Sequence, residues 1–115
     1  MRLKMHLINY EDFEKIDIRV GRITKVEHFP RAGKPAYKLW IDFGEMGLKQ
    51  SSAQITACYS KEELIGRLVT AVVNFPPKQV ADFISEVLVL GVVLDYQDVI
   101  LIEPDRDVPV GKRIL

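Results

Sequence analysis

Ile16-Asp17-Ile18-Arg19-Val20-Gly21-Arg22-Ile23 is the stretch on which the fold turns. Ile16, Ile18 and Val20 alternate with Asp17 and Arg19, the period of a half-buried strand, but Ile23 breaks that period just after Gly21. A bulge or sharp bend at Gly21 accounts for the break, because glycine tolerates unusual backbone and an extra residue flips the register. A strongly bent first strand serves a small closed barrel, since one long strand then pairs on both sides. Upstream, Tyr10 to Lys15 reads as a short helical turn, with Asn9 able to cap it and carboxylates at its positive end.

Downstream, a loop of turn formers from Pro30 to Pro35 leads into Tyr37-Lys38-Leu39-Trp40-Ile41-Asp42-Phe43, a clean alternation. It sends Tyr37, Leu39, Ile41 and Phe43 to the core and leaves Lys38, Trp40 and Asp42 outside. Gly44 and Gly47 bracket a hairpin turn, and Leu48 to Thr56 is the partner strand. Ser60 followed by Glu63 is a capping box, so Lys61 to Ile65 forms a short helix ending at Gly66. Leu68 to Asn74 is a β-branched run without helical period, a buried strand stopped by Pro76 and Pro77. Phe83 to Leu94 reads as one continuous apolar strand, and Val99 to Ile102 as another. Short strands with one short helix after the third give an all-β fold, a five-stranded Greek-key barrel of the oligonucleotide/oligosaccharide-binding (OB) type, with an SH3-like barrel as the alternative.

One domain accounts for all 115 residues: an N-terminal extension (1–15), the barrel (16–103) and a C-terminal extension (104–115). The lone Cys58 is read as a buried thiol and suits a reducing compartment. No leader-like start is visible, and the apolar run Val87 to Leu94 is far short of the ~20 residues that cross a bilayer, so the expectation is a cytoplasmic protein without membrane insertion. Sixteen basic residues balance sixteen acidic ones. Their distribution is uneven: residues 1–49 hold ten Lys and Arg against seven Asp and Glu, and 50–115 hold six against nine. The first half therefore carries a possible basic patch, although a solvated strand face reads the same way.

Catalysis finds little support. His6 and His28 stand alone, Cys58 has no cysteine neighbour, and no metal-ligand spacing, nucleophile elbow or phosphate loop occurs, so neither an enzyme nor a metal or other cofactor is expected. A triad of Ser51, His28 and Asp42 is open only on geometry. Binding is the better class. Barrels of this type bind strands on the face of their second and third strands, with cations on phosphates and aromatics on bases. Lys38 and Trp40 lie on that face and Arg19 on the outward side of the first strand; the competing readings are plain solubility for Lys38 and packing for Trp40. Ser51 and Ser52 are weak strand formers and suit either a ligand contact or a barrel-closure point. Phe75, Pro76, Pro77 and Phe83 surround a stiff loop that forms either a peptide groove or the barrel's end plug.

Several segments also resemble a known family. Asp17-Ile18-Arg19-Val20-Gly21 is similar to the opening motif of a wide tRNA-binding group. Phe29-Pro30, Lys38-Leu39, Ile41 to Gly44, Lys49 to Thr56, Val72 to Lys78 and Ser85 to Gly91 resemble the narrower CsaA family of export-related chaperones. Where the wider group has a Ser-Gly pair and a Ser-x-Gly-Met segment, this chain has Ser51-Ser52-Ala53 and Ser85-Glu86-Val87-Leu88, which favours CsaA. The resemblance implies an OB barrel whose terminal extensions build a homodimer, and as partners tRNA and unfolded or export-bound polypeptides. It marks Lys38, Lys49, Ser51, Ser52, Asn74, Lys78 and Ser85 as candidate ligand contacts. The apolar termini, with Leu3, Met5 and Leu7 alternating at one end and Ile114 and Leu115 at the other, suit pairing between two copies or within one.

Overall fold

In the computed structural model, which describes residues 4–95 and 98–115, the long first strand β1 (Ile18–His28) pairs on both sides. Ile18 to Arg22 run antiparallel to β4 (Leu68–Val72), and Arg22 to His28 to β2 (Tyr37–Asp42). β3 (Leu48–Ala53) follows beside β2, and β7 (Leu88–Val89) beside β4, so the order β3-β2-β1-β4-β7 makes a nearly closed five-stranded antiparallel barrel. The short helix α2 (Lys61–Leu64) sits between the third and fourth barrel strands and drives Leu64 fully into the core. Its capping box forms as the sequence predicts: Glu63 N–H donates to Ser60 Oγ at 3.2 Å, and Ser60 N–H to Glu63 Oε1 at 3.0 Å. Hydrogen bonding from Ser60 to the Glu63 carboxylate, first from its backbone N–H and then from its side chain, holds that carboxyl below its ordinary pKa.

The inward alternation of β2 holds. Tyr37, Leu39 and Ile41 are buried with Phe43, Ile23, Val26, Val69 and Ala71 in one cluster. Each buried Leu, Ile, Val or Phe among them stabilises the fold by roughly 1.5–3 kcal/mol.

Four expectations need correction. The irregularity in β1 is at Thr24, between the pairs Ile23 with Ile41 and Lys25 with Trp40, and Gly21 stays in regular register opposite Val69. Gly21 is needed for room: a Cβ there would lie 2.5 Å from Ile41 Cγ2 and 2.7 Å from the Phe43 ring. Gly21 and Ile23 therefore face the barrel interior, and Ile16, Ile18 and Val20 do not. Val20 is nonetheless buried, its backbone bonded to Gly111 and Lys112 of the C-terminal segment. An outward residue looks inward in the sequence because a distant segment covers it.

Secondly, the third and fourth barrel strands end earlier than read, at Ala53 and Val72; the turn read at Tyr10 to Lys15 does form, as α1 (Tyr10–Glu14), and a 3-10 turn lies at Gly44–Met46. Thirdly, the apolar stretch from Phe83 is not one strand. It divides into β6 (Phe83–Ser85), β7 and β8 (Gly91–Val93); β6 forms a hairpin with β5 (Lys78–Val80), and β8 one with β9 (Val99–Leu101). Fourthly, Cys58 is only half-buried. The C-terminal segment pairs within its own chain, β10 (Arg113–Ile114) lying against Ile18 and Arg19. Leu3 lies outside the described residues; Met5 and Leu7 are exposed. Among the described residues no helix is long and apolar enough to cross a membrane.

Candidate nucleic-acid interface

The outer face of β2 and β3 is covered in part by the protein's own β5–β6 hairpin. β2 presents Lys38 and Trp40 outward, and their register partners on β3 are Ser52 and Gln50. Hairpin residues Val80 and Phe83 pack on that face with Phe29, Ala32 and Ala36 from the β1–β2 connection, making a second small cluster around Trp40. Phe83 is 6% exposed. Its ring meets Trp40 edge-on at 5.8 Å between centroids and Phe29 at 5.5 Å, the tilted geometry that aromatic quadrupoles favour. An ion pair between Arg31 and Asp82 at 3.2 Å ties the hairpin tip to the same connection.

Lys38 rises into this cluster. Its Nζ stands 5.0 Å from the Phe29 centroid and 5.3 Å from the Phe83 centroid, within cation–π range of both. Lys25 sits 4.7 Å over the Trp40 ring on the opposite flank and pairs with Glu27 at 3.1 Å.

The hairpin also closes the barrel, by side chains more than by a strand ladder. Glu86 N–H donates to the Gln50 carbonyl at 2.8 Å, but Gln50 N–H donates to the Glu86 carboxylate and Ser52 N–H to Ser85 Oγ at 3.1 Å. Gln50 Nε2 returns a bond to the Ile84 carbonyl at 2.7 Å. The result is a transverse row over four strands: Lys38 pairs with Ser52, Ser52 bonds to Ser85, and Ser85 pairs with Lys78. In register order, two serines thus lie between two lysines. Beside the row are two clefts that share Lys78 and Ser85, one of about 450 Å³ running along Ser52 to Ile55 and one of about 390 Å³ walled by Phe75, Pro76 and Leu88.

The other candidates are elsewhere. Ser51 is 1% exposed, on the inward side opposite Leu39, and its hydroxyl donates to the Ser52 carbonyl, so it serves barrel packing. Lys49 shares that inward parity, half-buried opposite Ile41 at the barrel rim. Arg19 donates from Nε and Nη2 to both carboxylate oxygens of Asp17, at 2.6 and 3.2 Å, and from Nη1 to the Gly111 carbonyl. These Asp17 bonds raise its already high pKa further. Asn74 accepts from Asp17 N–H at 3.0 Å and donates to the Lys15 carbonyl at 2.7 Å. Arg19 and Asn74 thus clasp the chain termini to the barrel, away from the row. Of the peptide candidates, Phe83 is enclosed, whereas Phe75, Pro76 and Pro77 lie exposed in the loop after β4. The triad does not assemble: His28 stands opposite Tyr37, five residues and roughly 16 Å along β2 from Asp42.

Sequence reasoning missed Lys25, Phe29 and Arg31 as parts of this face. Phe29 had a signal in the Phe29-Pro30 pair. The hairpin had almost none, because its turn is Ala81-Asp82 and lacks the Asn-Gly or Asp-Gly type that marks two-residue turns.

The chain matches the family described as "Putative tRNA binding domain" over residues 18–113. It is 35% identical over 111 residues to a methionine–tRNA ligase of Thermococcus onnurineus (strain NA1), covering 96% of this chain but only 15% of that enzyme. Among solved structures it superposes on the chaperone CsaA of Bacillus anthracis str. Ames with a TM-score of 0.92 and 54% identity, covering 96% of this chain and all of that one. The CsaA chaperone protein of Picrophilus torridus gives 0.88 and 57%, covering 95% of this chain and again all of the other. With the barrel, the helix after its third strand and the outer-face row already in place, these likenesses put the chain in the tRNA-binding domain family, among its CsaA-like members.

Proposed function

We propose that this protein binds folded RNA, with tRNA as the natural class, through the phosphate backbone and not through base stacking. The observation that carries the reading is the row Lys38, Ser52, Ser85 and Lys78, set beside an aromatic face already filled by the protein's own hairpin. Single-strand modules stack bases on exposed rings. Here Trp40 and Phe83 are occupied by each other and by Lys25 and Lys38. The two lysines of the row and the Ser52 hydroxyl are what is left to meet a ligand, the Ser85 hydroxyl being bonded to Ser52 N–H and the Val87 carbonyl, and they suit phosphate and 2′-hydroxyl contacts on a structured RNA. Lys25, already paired with Glu27, flanks the row; Arg19, Asn74 and Ser51 leave the contact set because they lie off the row with their polar groups engaged within the fold, and Lys49 has the inward parity of Ser51.

The likeness to methionine–tRNA ligases supports tRNA over other RNAs, and the mechanism is equilibrium binding with no bond made or broken. A reducing, cytoplasmic setting fits the free Cys58 thiol. Binding of labelled tRNA at ~50 and ~200 mM salt is the test: phosphate-led binding weakens steeply across that range. Binding that ignores salt sinks the reading.

A second reading, chaperoning of unfolded or export-bound polypeptide, rests on the apolar cleft of Phe75, Pro76 and Leu88 and on the likeness to solved chaperones. Phe75 is 53% exposed and Leu88 50%. A homodimer belongs to the same proposal. The β8–β9 hairpin leaves Val92, Val93, Leu94 and Ile100 uncovered, and Met5, Leu7 and Ile8 add an apolar N-terminal segment. A second copy is the partner we propose for these surfaces. Sedimentation at micromolar concentration separates monomer from dimer, and a labelled unfolded polypeptide that competes with tRNA would place both ligands on one surface.

A further inference from the structure

Lys38 is the one member of the row whose charge is surrounded by rings. Its register neighbours on β1 and β3 are Glu27 and Ser52; Glu27 pairs with Lys25, and the ammonium of Lys38 is instead seated over Phe29 and Phe83. A π face attracts a cation without supplying a carboxylate that would neutralise it, so the ammonium keeps its charge and N–H donors for an anion. The two rings come from different places: Phe29 from the β1–β2 connection and Phe83 from the hairpin that also supplies Ser85 and Lys78. The seat and half of the row therefore arrive together, when the hairpin docks.

We propose that Phe83 and Phe29 are positioning residues for Lys38, and that docking of the β5–β6 hairpin on β2 assembles the phosphate-binding row from its two halves. The inference rests on the RNA reading of that row and specifies how the site is pre-organised. A lysine on a flexible four-carbon stem loses rotamer freedom on binding. Rings that hold it beforehand remove part of that cost from the binding step.

The test compares Phe83→Leu and Phe29→Leu, which keep apolar bulk and remove the π face, with Lys38→Ala, each alone and combined, by tRNA titration across a salt series. Each Leu variant should weaken tRNA binding about five-fold, within the range of one cation–π contact. The salt slope should stay unchanged, because Lys38 still neutralises a phosphate once bound. Lys38→Ala should lower the slope by about 1, and in its background Phe29→Leu should not weaken binding further, whereas Phe83→Leu retains only the part of its effect that comes from loosening the hairpin. In the free protein, NMR of the Lys38 side-chain methylenes should show a ring-current shift that diminishes in each Leu variant. Phe29→Leu lies off the hairpin, so it tests the seat even if Phe83→Leu loosens the hairpin. Wild-type affinity in both Leu variants, or a Phe29→Leu loss that persists undiminished with Lys38→Ala, overturns the positioning role. If the wild type lacks salt-sensitive tRNA binding, the RNA reading and the positioning role fall together, and the NMR shift then reports only a packed lysine.

Discussion

Two basic regions of this barrel have opposite partners. At one end Arg19 faces the carboxylate of Asp17 and the carbonyl of Gly111, and Arg113 donates to the carbonyls of Glu14 and Ile16. On the outer face Lys38 stands over two aromatic rings, with no carboxylate paired to it among the described residues. The first arrangement engages three of the five N–H donors of Arg19 and sets both arginines against one carboxylate, fixing the terminal segments to β1. The second leaves charge and donors outward. What surrounds a cation, more than its presence in a basic segment, separates the residues that hold the fold from those able to hold a polyanion.

The strongest way to break the contrast is to remove both ends of the row. Lys38→Ala with Lys78→Ala should weaken tRNA binding on the order of a hundred-fold at low salt, from two charge-assisted contacts. The salt slope should fall by about 2. The urea midpoint should fall only modestly, since Lys78 is exposed and Lys38 loses no more than its ring contacts with Phe29 and Phe83. A large stability loss with unchanged slope would make these lysines structural.

The reciprocal experiment acts on the clasp. Asn74→Ala removes the acceptor for Asp17 N–H and the donor to the Lys15 carbonyl, and should cost about 2 kcal/mol in a urea melt. Arg19→Ala acts in the same direction by freeing Asp17 and the C-terminal segment. Neither should change tRNA affinity measured well below the unfolding transition. An RNA defect with intact stability would move the clasp into the binding surface.

Ser85 belongs to both sides of the comparison, because its hydroxyl accepts Ser52 N–H at the barrel seam and lies in the row. Ser85→Ala should cost about 1 kcal/mol of stability and weaken tRNA binding by a few-fold together. If only one of the two moves, seam and row are separable.

The barrel was largely legible because period-two alternation in Tyr37 to Phe43 and the Ser60 and Glu63 capping box are local signals. Lys38, Ser52, Lys78 and Ser85 were also reached from sequence. Their convergence was not, since it depends on a hairpin hidden between two prolines and an apolar run. The clasp was unreadable for a different reason: Arg19 and Gly111 are 92 residues apart, and Arg19 in its strand looks like any outward cation. Phe83, read as a peptide contact, was an aromatic of the right kind facing its own protein.

The smallest effect is expected at Ala81, and it bears on the hairpin that separates the two regions. Ala81 holds φ 53°, the left-handed backbone that a Cβ disfavours by roughly 1–2 kcal/mol. Its carbonyl accepts from Gln79 Nε2 at 3.1 Å, a bond that an Ala81→Gly substitution retains. Glycine relieves the strain but adds freedom to the unfolded chain, worth roughly 0.5–1 kcal/mol in the other direction. The net is a few tenths of a kcal/mol toward a formed turn. If docking of this hairpin seats Lys38, Ala81→Gly should raise tRNA affinity by no more than about two-fold and slow amide exchange at Val80 and Phe83, with the clasp amides of Asp17 and Val73 unaffected. A tighter hairpin with lower affinity would mean that RNA enters by lifting it, and the exposed Trp40 face would then be the true binding surface.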